Sequence, residues 1–101
     1  MKIIVKDAIG SFCTEYEQGE RLLDLTRQGL EDNGEVDVDF EGVQLATSAF
    51  FNASFGVLYG DYPLDVLKAK IKVSHLSKEM RQVMSRSLEA AKKFYEERRP
   101  A

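Results

Sequence analysis

A single cysteine, Cys13, and a single histidine, His75, are the scarcest reactive side chains in this sequence. One thiol cannot close an internal disulfide, and nothing at the N-terminus resembles a signal peptide, so a reducing cytoplasm is the expected setting. No apolar run approaches the roughly 20 residues a membrane helix needs, and no membrane association is expected. Basic residues do not dominate either: the formal net charge is −3, which argues against general nucleic-acid affinity. Also missing are a glycine loop that cradles phosphate, a paired metal-ligand pattern and an activated nucleophile. An enzyme is therefore the least expected class, and no cofactor or metal is expected.

What the chain does contain is one domain's worth of patterned elements, spanning residues 1–101, enough for a modest core without staples. Its charge is unevenly spread. Residues 14–41 carry ten acidic side chains against Arg21 and Arg27, whereas residues 62–101 carry ten basic against five acidic. Oppositely charged ends suit a protein partner or a second copy of the chain, and a solvated surface accounts for them equally well.

Three repeats of strand then helix are legible. Lys2–Ile9 alternates as a strand, with Ile3, Val5 and Ile9 on one face, until Gly10 and Ser11 break it. Thr14 and Glu17 spell a capping box, and the helix that follows lines up Tyr16, Gly19, Leu23, Thr26 and Leu30, with Gly19 letting it approach the sheet. Asp32-Asn33-Gly34 reads as a turn. Val36, Val38 and Phe40 then alternate with Asp37, Asp39 and Glu41 in a second strand. A third strand is expected over Lys68–Ser74, with Ala69, Ile71 and Val73 facing one way and three lysines the other. Ser77 is the expected cap of a last helix striped by Met80, Val83, Met84, Leu88, Ala91 and Phe94, whose tail, residues 96–101, is expected to fray.

All three strands keep one charged face, which a sheet covered on both sides would not. Helices are therefore expected on one face only. The lysines of the outer strands and the carboxylates of the second place the second in the middle, giving a mainly parallel α/β sheet in the order 1-2-3. Asp37 and Asp39 are expected to face lysines of both neighbours across a face free of helices.

Between the second and third strands Thr47 and Ser48 supply hydroxyls where the apolar period changes, as a helix start requires. The helix is expected to end near Gly60 in a left-handed residue before Pro63. Phe50, Phe51, Phe55, Val57, Leu58 and Tyr59 run nearly all the way round it, with Asn52 and Ser54 the polar exceptions. Two readings follow: burial between flanking helices, or an apolar docking surface. On the second reading Thr47, Ser48, Phe51, Asn52 and Phe55 contact a partner, and Phe51→Asp would abolish binding while sparing stability. Gly56 and Gly60 read as sites of close helix packing.

The stretch Asp39-Phe40-Glu41-Gly42, then Thr47-Ser48, Phe50 and Phe55-Gly56, with Glu17-Gln18-Gly19-Glu20 upstream, resembles the signature of a STAS-like bacterial family of unknown function. That family is related to the STAS domains of anti-sigma-factor antagonists. The resemblance implies a βα superhelix and a non-catalytic regulatory interaction module, whose partner in a partner-switching system is an ATP-binding, histidine-kinase-like protein. It also brings Ser48, with Thr47 beside it, to the position of the antagonists' phosphorylated serine, although Thr47 and Phe50 stand where antagonists carry an aspartate and a small residue. A hydroxyl here also serves as a plain helix cap. The competing function is a structural or assembly subunit, such as a homodimeric scaffold, with no phosphoswitch. His75 reads as a structural or surface residue rather than a base because spacing puts no carboxylate or hydroxyl beside it, Cys13 as a loop residue without redox role, and Asp37, Asp39 and Glu41 as an exposed face rather than a cation site.

Overall fold

A computed structural model describes residues 1–98. The chain runs β1 (Lys2–Ile4), α1 (Val5–Ala8), β2 (Phe12–Cys13), α2 (Tyr16–Asn33), β3 (Val36–Asp39), β4 (Leu45–Ala46), α3 (Ser48–Ala53), α4 (Phe55–Asp61), α5 (Leu64–Lys70), β5 (Ile71–Ser74) and α6 (Lys78–Arg98). β1, β3 and β5 form a parallel sheet in the order β1-β3-β5, with the strand from Val36 in the centre. In the numbering of the whole chain this is not the simple order 1-2-3, because β2 and β4 intervene and pair with each other in a separate parallel ladder.

Register explains why the carboxylate strand is central. Asp37 stands opposite Lys2 on one side and Lys72 on the other, a cross-strand row of alternating charge. The expectation for Asp39 is only half met: it lies opposite Ile4 and Ser74, and takes a lysine diagonally, with Lys2 Nζ 3.5 Å from its Oδ2. Lys2, Ile4 and Lys72 are exposed on this face. The other face, carrying Ile3, Val38 and Val73, meets the core. There α3 lies between α2 and α6, and α4 packs on α6.

Several elements are shorter or shifted from their sequence patterns, each for a physical reason. The first strand stops at Ile4 because its partner β3 ends at Asp39; Val5 then turns into the core as the start of one helical turn. The third strand begins at Ile71, and Lys68 and Lys70 belong to α5, which Pro63 starts from its N-cap position. The capping box of α2 is displaced by one residue from Thr14: Glu15 is the N-cap, exchanging hydrogen bonds with Gln18. Tyr16 consequently leaves the inner row and is exposed. Gly34 closes α2 in the left-handed region at φ 79, so the expected turn is also the helix's C-cap. Gly19 does allow close approach, but to α3 rather than the sheet, since a methyl there would collide with the Phe50 carbonyl and the Ala53 side chain.

The expected single helix after Ser48 is two, broken at Ser54, whose Oγ donates to the Phe50 carbonyl at 2.9 Å. Gly60 is not its left-handed end. It lies inside α4 against the Tyr95 ring, and Gly56 faces Ala91, so both glycines serve the α4–α6 packing that their spacing suggested. Ser77 caps α6, accepting from Met80 N at 3.1 Å. Of its stripe, Phe94 is 47 % exposed, whereas Ser87 is buried. Helix α6 continues through Glu96 and Glu97 to Arg98 rather than fraying at residue 96, and the last three residues of the expected tail lie outside the described residues.

Candidate functional site

Thr47 and Ser48 both sit at the start of α3 but do different work. Thr47 is the N-cap, with extended backbone at φ −96 and ψ 167. Its Oγ1 accepts from Phe50 N at 3.4 Å and donates to the Thr14 carbonyl at 3.1 Å, tying this corner to the start of α2. Ser48 is the first helical residue and is exposed. A phosphate on Thr47 would cost the cap; one on Ser48 would not.

The aromatic part of the expected docking surface is not on the surface. Phe51 is fully buried and Phe55 is 5 % exposed. Phe51 sits with its ring centroid 5.9 Å from Phe40, 5.5 Å from Phe50 and 6.3 Å from Phe55, so these rings form the core beneath the sheet. The all-round apolar helix is thus explained by burial between α2 and α6, the first of the two readings. Asn52 stays exposed, but its Oδ1 accepts a hydrogen bond from Ser87 Oγ, which commits it to the α3–α6 contact.

An apolar surface does exist at the same corner, on residues the sequence reading passed over. Phe12 and Leu45 are direct partners in the β2–β4 ladder, and they are 57 % and 46 % exposed. The next pair, Cys13 and Ala46, points inward and is buried. Leu45 is three residues before Ser48, and Gln18 Nε2 donates to the Phe12 carbonyl at 3.1 Å, holding β2 to the first turn of α2. That turn presents exposed Tyr16 with Glu15 and Glu17. A two-residue strand has no period to detect; the only signal was a large apolar residue isolated just after a glycine break.

A second grouping lies at the carboxyl ends of β3 and β5. Asp39 is 4 % exposed rather than part of an open acidic row. Its Oδ1 accepts from Glu41 N at 2.9 Å and lies 2.8 Å from His75 Nδ1. The backbone hydrogen bond from Glu41, then the one from His75, hold the Asp39 carboxyl below its usual range against the opposing effect of its burial. His75 therefore has the carboxylate partner that spacing did not reveal, because the pairing comes from strands 36 residues apart. It adopts φ 59, an unusual conformation for a bulky residue.

Cys13 is fully buried, and burial pushes its thiol up to about 11. The position before a helix does not activate it. At pH 8 its thiolate fraction is on the order of 0.1 %, so a thiol reagent should leave the native protein unlabelled and label one site only after denaturation. Rapid native labelling would contradict this burial. Among the described residues no helix is long and apolar enough to cross a membrane.

A family model described as a STAS-like domain of unknown function matches residues 18–81, which include α2, β3, the Thr47–Ser48 corner and β5. Neither the curated proteins nor the solved structures contain a match to this chain.

Proposed function

Because the chain belongs to the STAS-like domain family, we propose that it is a non-catalytic regulatory module that binds a protein partner through the β2–β4 ladder and the adjoining start of α3. The observation that carries this reading is the outward pair Phe12 and Leu45. A ladder whose inward side already serves the core has no structural need for large apolar residues on its outer side. An exposed aromatic beside a branched aliphatic is the composition of an interface anchor. The neighbouring Glu15, Glu17 and Glu20 are exposed, so the partner's matching surface is apolar at its centre and basic at its rim. The family's relation to anti-sigma-factor antagonists supports an ATP-binding, histidine-kinase-like protein as that partner, with Ser48 as the phosphoacceptor that controls docking.

Cross-linking in the native cell, followed by mass spectrometry, tests this. Wild type is expected to capture an ATP-binding kinase-like protein, and Phe12→Asp and Leu45→Asp are expected to lose it while keeping the wild-type thermal midpoint, since both side chains already face water. Retention of that partner by both variants would overturn the reading. Links to further copies of the chain alone would favour the competing assembly subunit, for which the acidic face of α2 and the basic stretch from Lys68 to Lys72 offer complementary charge.

A further inference from the structure

We propose that Asp39, Glu41 and His75 form a binding site for one divalent transition-metal ion. One potential ligand atom from each lies within 4.8 Å of the other two. The set is mixed, one imidazole nitrogen and two carboxylate oxygens, and that mixture selects zinc- or manganese-like ions over calcium, which prefers oxygen alone. His75 Nδ1 already meets Asp39 Oδ1 in a hydrogen bond of 2.8 Å, so the ion would take the place of the proton between them, released on binding, and the exposed imidazole would draw back slightly to admit it.

Position and rigidity argue the same way. The group lies at the carboxyl ends of two adjacent parallel strands, around and just beyond the register pair of Asp39 and Ser74, so one backbone ladder sets the spacing of its members. Asp39 is fixed by β3 and by the Glu41 backbone, while Glu41 and His75 are exposed and have room to close on an ion. Lys2 competes for the carboxylate, with its Nζ 3.5 Å from Asp39 Oδ2, but its side chain is 57 % exposed and is free to swing into water. Three protein ligands leave further coordination positions for water or for a group on another molecule.

The test is titration of the untagged, metal-stripped full chain with zinc at pH 7.5, read by calorimetry and by imidazole NMR. His75 is the only histidine, so its resonances report on the site without assignment. The expected result is saturation at one zinc per chain with a shifted imidazole signal, and affinity lowered at least about tenfold in His75→Ala and in Glu41→Gln. Both residues are exposed, so neither variant should lose its fold, and Cys13→Ser should bind as wild type does. Absence of saturable binding below about 1 mM zinc, the concentration of a weak adventitious contact of about 4 kcal/mol, would overturn the site. Equal affinity in wild type, His75→Ala and Glu41→Gln would do so as well.

Discussion

Phe51→Asp is expected to unfold the domain, not merely to weaken binding. The ring is fully buried among Phe40, Phe50 and Phe55, so its removal leaves a cavity that nothing at the α3–β3 junction is free to fill. Loss of a buried phenylalanine costs about 3–5 kcal/mol before any charge is considered. The aspartate then has to be buried without a partner, or the helix pulled off the sheet, at a further cost of several kcal/mol. Against a typical domain stability of about 5–15 kcal/mol, that sum removes most of the native population. Circular dichroism and urea denaturation should show Phe51→Ala with a midpoint far below wild type and Phe51→Asp with no cooperative transition. A Phe51→Asp midpoint near wild type would mean that the ring faces solvent.

The reason the sequence supported two readings at Phe51 lies in what periodicity measures. A helix apolar all round is consistent with a docking surface or with burial on every side, and only the positions of α2 and α6 decide between them. Those positions depend on long-range packing, such as Gly19 against the Phe50 carbonyl, that no local pattern encodes. Where the signal was local, the reading matched the structure: Val36 and Val38 alternate into the core and Ser77 caps α6.

The candidate site was legible in the same uneven way. Thr47 and Ser48 at a helix start followed from residue chemistry. The exposed apolar pair beside them was not legible, because Phe12 and Leu45 belong to two-residue strands 33 positions apart in sequence. The same holds for Asp39 and His75, whose contact exists only because β3 and β5 pair in parallel with Asp39 opposite Ser74. Sequence spacing finds partners along one element. Across the sheet, charge alternation pointed to the row at Asp37 but not to the contact of Asp39 with His75, which lies past the end of its strand.

Thr47 and Ser48 should separate cleanly when substituted, although they are neighbours. Thr47→Val keeps the shape but removes the oxygen that accepts from Phe50 N and the hydrogen given to the Thr14 carbonyl. A lost cap costs about 1–2 kcal/mol, which in a domain of this size lowers the melting midpoint by about 5–10 °C. Ser48→Asp leaves the Thr47 cap intact and puts a negative charge in the first turn of α3, where the helix end stabilises it by about 0.3–1 kcal/mol. Its midpoint should equal or slightly exceed that of wild type. Docking should respond in the opposite sense. On the proposed docking surface, the charge at Ser48 enters three residues from Leu45, beside the apolar pair that would lose water on binding, and a phosphate there carries nearly two charges. Ser48→Asp is therefore expected to bind the captured partner at least about tenfold more weakly, a difference of about 1.4 kcal/mol, while Ser48→Ala binds as wild type. Binding by calorimetry and phosphate mapping on protein purified from its own cells decide the matter. The switch fails if Ser48→Asp binds as tightly as wild type and neither hydroxyl carries phosphate.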